Sequence, residues 1–186
     1  RGSVRAMSGP SITPAAAAMM LALASLWGGS FFFAEVALTE VPPMTIALFR
    51  VGLALPMMLT VILMRRIALP RNARVWGAWL VMGALNNAIP FTLIFWGQTR
   101  IESGLAAILN GTTAVFAAVV AAIFLRDEPL TARKLGGAGL GLAGVAVIIG
   151  PDLLGGLDLT DLEQLAVLGA ALSYAFAGPW ARRTLS

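Results

Sequence analysis

The chain has 186 residues, 59% of them hydrophobic and 12% charged, with a net charge of +4 and a pI of about 11.0. Soluble domains carry roughly 25% charged residues, so a water-soluble fold is excluded, and the basic excess is read as a membrane-topology signal rather than a nucleic-acid surface. With no cysteine and no histidine, the sequence holds no disulfide framework, no thiolate or imidazole metal site and no haem ligation through these side chains; no metal and no cofactor are expected.

The first residues, Arg-Gly-Ser-Val-Arg-Ala before Met7, look like an expression scar, and 1–13 is read as this scar with a cytoplasmic N-terminus. A helix needs about 20 apolar residues to cross a hydrocarbon core roughly 30 Å thick. Six stretches are candidates: 14–38, 43–64, 75–97, 104–125, 135–150 and 164–181. The fifth is short and takes its membrane reading from its neighbours. The expectation is an all-α membrane protein with six transmembrane helices. Arg1 and Arg5 precede the first span, Arg65, Arg66, Arg71 and Arg74 follow the second, Arg126, Arg133 and Lys134 follow the fourth, and Arg182 and Arg183 follow the sixth. The opposite gaps hold only Arg100, while the last of them, 151–163, carries Asp152, Asp158, Asp161 and Glu163. Basic loops stay inside, so this pattern predicts a cytoplasmic N-terminus and an outer loop at 151–163.

Polar groups inside the spans carry the functional argument. Counted from the outer ends at 1.5 Å per residue, Arg50 lies roughly 12 Å deep, Asn110 roughly 10 Å, and Thr113 and Ser173 roughly 14 Å. Trp27, Asn86, Asn87 and Tyr174 fall at about 15 to 18 Å, near the midplane, and Glu35 at about 6 Å. Five spans thus contribute to one polar layer, and the fifth contributes nothing. A central Arg must face protein or a wet cavity. Arg50 therefore either holds helices together, with Glu35 as a candidate partner, or lines a cavity. The Asn side chains serve as interhelical hydrogen-bonding groups or as ligands. Pro90 interrupts the third span at midplane, where freed carbonyls are tolerated only against protein or a water-lined cavity. Trp76 and Trp96 read as interface anchors, and Glu128 as a solvated residue or a cap for the helix after Pro129.

Gly139, Gly141 and Gly144 have dinucleotide-loop spacing, but they sit inside an apolar helix with no strand before it. The preferred reading is packing, with Gly137 and Gly141 as a GxxxG face and Ala24 with Gly28 as a similar small face in the first span. A phosphate-binding GxxxxGK[ST] loop is absent.

The segments Leu26-Trp27-Gly28-Gly29-Ser30, Leu48-Phe49-Arg50, Ser103-Gly104-Leu105-Ala106-Ala107-Ile108-Leu109-Asn110, Arg126-Asp127-Glu128-Pro129-Leu130-Thr131 and Gly141-Leu142-Ala143-Gly144-Val145 stand in order. As an ordered set they resemble an EamA domain of the drug/metabolite transporter superfamily, across nearly all of 14–150. Asn86-Asn87-Ala88-Ile89-Pro90-Phe91 is similar to a subgroup of those transporters. Ala114 follows Thr112 and Thr113 where many members carry proline, which puts a helix irregularity there in question.

The resemblance implies two inverted five-helix halves. Residues 14–150 would be the first repeat, and 164–186, with Ala170-Ala171-Leu172-Ser173-Tyr174, the first helix of the second. On this reading the chain is a fragment that lacks the rest of the second half, or else it completes itself by self-association. The resemblance further implies a secondary transporter of the bacterial inner membrane that exports amino acids or related metabolites by alternating access, with no enzymatic activity. Its partners would be a small-molecule substrate and membrane lipid, with no nucleic acid. Trp27, Tyr174 and the deep Asn groups suit aromatic or large neutral amino acids. The alternatives are a non-transporting helical assembly subunit with a dry polar layer, or a membrane enzyme using Glu35.

Overall fold

The computed structural model describes residues 13–158 and 160–184, so the expected scar at the N-terminus lies outside the described residues. These residues form helices and turns with no strand among them. The helices are α1 (Pro14–Leu38), α2 (Pro43–Met64), α3 (Ala73–Gly83), α4 (Ile89–Gly97), α5 (Ser103–Gly111), α6 (Thr113–Phe124), α7 (Ala132–Ile149) and α8 (Leu162–Thr184). A wide π turn, Ala84–Ala88, joins α3 to α4, and a short 3-10 turn, Pro151–Gly156, follows α7.

Local chemistry sets the boundaries. Thr13 Oγ1 accepts from the Ala16 amide at 3.2 Å, with Pro14 at the first position, where its missing N–H costs nothing. Asn72 Oδ1 accepts from the Arg74 amide at 2.9 Å, and Thr131 Oγ1 from the Lys134 amide at 3.2 Å. Thr131, not Glu128, therefore caps α7. Gly150 ends that helix at φ 120°, a value side-chain-bearing residues rarely adopt.

Among the described residues four helical stretches are long and apolar enough to cross a membrane: Pro14–Leu38, Pro43–Met64, Ala73–Gly97 and Ser103–Phe124. Helices α7 and α8 occupy the fifth and sixth expected stretches, and Glu163, Gln164, Arg182 and Arg183 make the ends of α8 polar. The stretch Ser103–Phe124 is broken at Thr112 although proline is absent there. Thr112 Oγ1 donates to the Leu109 carbonyl and Thr113 Oγ1 to the Asn110 carbonyl, both at 2.6 Å, and such local bonds compete with the helix ladder.

The core lies around α8, which packs on α3, α4, α5, α6 and the π turn. Val167, Ala170 and Ala171 are wholly buried there, and Ile94, Phe95, Leu105 and Leu109 close around them. Gly97 permits the closest approach, since a Cβ at that position would lie 2.7 Å from Val167 Cγ2 and 2.8 Å from the Glu163 carbonyl oxygen. By contrast α7 packs at the edge, mainly on α5, α6 and the 3-10 turn. The packing role expected of Gly137 and Gly141 finds no partner among the described residues, and neither does that of Gly28: a Cβ at any of them meets nothing within 4 Å. Large apolar side chains such as Leu26 and Phe33 on α1 and Leu53 and Met57 on α2 face outward, as lipid-facing helices require.

Candidate functional site

A cavity of about 520 Å3 opens between the helices near their midpoints. Helix α1 contributes Trp27, Ser30 and Phe31 to its wall, and α2 contributes Arg50. Asn86 and Asn87 come from the π turn, and Phe91, Ile94, Phe95 and Gln98 from α4 and its C-terminal cap. Asn110, Thr113 and Tyr174 come from α5, α6 and α8. The size and the mix of many apolar surfaces with few polar groups are those of a small-molecule site.

The π turn is the element that brings Asn86 and Asn87 to this wall. Pro90 has no N–H, so the ladder cannot continue through it, and the backbone widens so that the Ile89 amide donates to the Ala84 carbonyl. In that widened register the next carbonyl, Leu85, would await the amide Pro90 lacks. Ser173 Oγ donates to it instead, at 2.8 Å. Ser173 was expected beside Tyr174 in the cavity. It lies buried next to it, because adjacent residues on a helix point about 100° apart, and its hydroxyl completes the backbone of the π turn.

Arg50 reaches across from α2. Its Nη1 donates to Ser30 Oγ, and its guanidinium stacks on Phe91, 4.4 Å from the ring centroid, with Phe95 at 5.9 Å. It makes no ion pair among the described residues. Glu35, its expected partner, turns elsewhere: Glu35 Oε2 accepts from the Ser103 amide at 3.3 Å, at the first residue of α5. A carboxylate there meets the free N–H groups and positive dipole end of that helix, which satisfies it without Arg50.

Sequence reasoning missed Gln98, which lies one residue past the end of the expected span 75–97. Its Nε2 donates to the Phe31 carbonyl at 3.0 Å, tying the end of α4 to α1, while its Oε1 is buried without a partner. Asn110 Oδ1 is likewise buried and unpaired. The stripe Asn87, Phe91, Ile94, Phe95, Gln98 recurs at helical spacing on one face, a signal that was present in the sequence. Among the described residues no three His, Cys, Asp or Glu side chains gather as a metal site.

At the opposite end of α8, Arg182 pairs with Asp127 and, at 3.4 Å, with Glu128, while Lys134 Nζ bonds Glu128 Oε2 at 2.5 Å. Arg183 donates to the Phe124 carbonyl. Glu128 thus belongs to an ion cluster, and the Lys134 hydrogen bond and charge hold its carboxyl below the ordinary range.

The sequence pattern of the EamA-like transporter family matches residues 14–150. An uncharacterised transporter of Archaeoglobus fulgidus is 29% identical over 137 residues, covering 73% of this chain and 46% of its own length. The uncharacterised transporters YvbV and YoaV of Bacillus subtilis are 29% and 23% identical, covering 90% and 88% of this chain and 54% and 56% of their own lengths. The chain therefore spans about half the length of the curated relatives it matches. No solved structure matches it. With apolar helices around a central cavity and the family pattern running from the first helix to the end of α7, the chain belongs to the EamA-like transporter family of multi-pass membrane proteins in the drug/metabolite transporter superfamily.

Proposed function

We propose that the chain forms part of a secondary active transporter that exports amino acids, aromatic or large neutral, or related small metabolites across the inner membrane by alternating access. The observation that carries this reading is the cavity itself, about 520 Å3 in volume, with Arg50, Asn86, Asn87 and Asn110 placed beside Trp27 and Tyr174. A non-transporting assembly subunit would have packed such a layer closed, since polar groups in hydrocarbon are stable only when paired.

In the proposed cycle the N-terminus is cytoplasmic, α7 and α8 span the membrane with the four longer stretches, and 14–150 is one of two inverted repeats that rock about the cavity. The π turn supports this, because irregular backbone at membrane depth is tolerated only against protein or a water-lined cavity, and Asn86 and Asn87 of this turn border the cavity. Single cysteines at Asn86 and Asn110 of the complete protein should react with a small water-soluble thiol reagent, and a transported substrate should protect them. If both stay unreactive under every condition, the layer is dry and the transport reading falls.

A further inference from the structure

We propose that Arg50 anchors a carboxylate in this cavity. Its substrates would then be small carboxylic acids with a hydrogen-bond donor and an apolar or aromatic body, and amines and amides lacking the carboxylate would be rejected. The inference rests on the transport reading above and adds to it which group of the substrate meets which residue.

Charge balance comes first. The guanidinium is permanently charged, and a charge at membrane depth needs a counter-charge or water. Among the described residues no Asp or Glu lines the cavity, and Glu35, the carboxylate expected to neutralise Arg50, turns instead to the Ser103 amide. The cavity therefore holds one fixed positive charge, which favours an occupant with a negative group.

Geometry then narrows that group. Ser30 takes one N–H of Arg50, and Phe91 covers one face of the guanidinium. These contacts fix the plane and leave the remaining N–H groups for a ligand, and a held guanidinium fork matches a carboxylate with two parallel hydrogen bonds. Elsewhere in the same wall the polarity is opposite. Gln98 and Asn110 belong to that wall, and their amide oxygens are closed off from solvent without a donor, so a turn of either side chain toward the cavity would present its acceptor to an ammonium or N–H group on the ligand. Between these poles Trp27, Phe31, Phe95 and Tyr174 offer ring surfaces to the rest of the molecule. A zwitterionic amino acid would use all three features.

The test is a ligand series on the unaltered complete protein, read by the ligand-dependent rise in Tm and by counterflow in liposomes. Each series keeps one body, phenyl or isobutyl, and varies the head: the amino acid, its amide, the decarboxylated amine, and the acid without the ammonium. The amino acid should bind best and the acid should keep part of that affinity, while amine and amide should be weaker by about tenfold or more, the loss of one charged hydrogen-bonded contact. Arg50→Gln should remove the preference for the carboxylate, and Arg50→Lys should keep part of it. If Arg50→Gln fails to fold, the series on the unaltered protein still decides. Amines or amides that bind and exchange as well as the amino acids would overturn the carboxylate anchor and leave the transport reading standing. If no compound of any class exchanged, both would fall.

Discussion

Helices α7 and α8 follow one another in the chain, yet they take opposite places in the bundle. Along α7, Leu140, Val147 and Ile148 are 76%, 74% and 85% exposed, and its glycines meet no neighbour. Along α8, Val167, Ala170 and Ala171 are wholly buried between α4, α5 and α6. Both helices are rich in small residues, and α8 carries the more polar ends, so neither small-residue content nor hydropathy separates them. A small residue matters where another backbone lies opposite it. Hydropathy reports transfer into lipid, whereas a helix enclosed by other helices needs close approach and paired polar groups.

The sharpest way to break this comparison is to add one methyl group to each side of it. Gly97→Ala places a Cβ against Val167 and the Glu163 carbonyl, and because that oxygen is backbone, α4 and α8 must separate. A loss of about 1 to 3 kcal/mol is expected, as for other overpacked cores, with Gly97→Val worse. Gly137→Ala should be neutral or slightly stabilising, since open space and better helix propensity both favour it. Thermal unfolding of the purified protein measures both. Equal losses at the two glycines would mean that α7 has a packing partner after all.

The next effect concerns how α8 is paired rather than packed. Ser173→Ala leaves the Leu85 carbonyl buried without a donor, at a cost of about 1 to 3 kcal/mol. The backbone logic makes a stricter demand. Pro90→Ala returns the missing N–H, so the Ser173→Ala and Pro90→Ala double variant should lose less than the two single losses added together. Strict additivity in a double-mutant cycle would show that Ser173 does not substitute for the proline's absent donor.

The sequence revealed depth better than direction. Rise per residue alone brought Trp27, Arg50, Asn86, Asn87, Asn110, Thr113 and Tyr174 to one layer, and all of them border the cavity. Rotation about each helix axis was not legible. Ser173 and Tyr174 share a depth, yet one completes the π turn and the other faces the cavity. Glu35 stood within plausible reach of Arg50, but the free amides at the start of α5 offered a nearer partner. The irregularity at Thr112, put in question by the absence of proline at Ala114, is present all the same, because threonine hydroxyls bond the preceding carbonyls. The family pattern, which depends on the order of short segments and not on rotation, was readable from 14 to 150.

The smallest effect lies at the exposed end of α8, where Arg182 joins Asp127 and Glu128 and thereby ties the last turn to the loop before α7. Glu128 is held below the ordinary glutamate value of 4.5 by its hydrogen bond to Lys134, then by the Lys134 charge and by Arg182. A carboxylate with a depressed folded value stabilises the fold fully above its unfolded value. That contribution is lost as pH falls from about 4.5 through the lower folded value. The Tm attributable to this cluster should therefore be flat from neutral pH down to about pH 5 and decline below it. Glu128→Gln should reduce that acid decline while lowering Tm slightly at neutral pH, and added salt should shrink the difference, because water and ions screen an exposed pair. Unfolding curves of both proteins across this range decide it. If Glu128→Gln alters Tm below pH 4 but not at pH 7, the sign of the linkage is wrong and the cluster does not hold the end of α8.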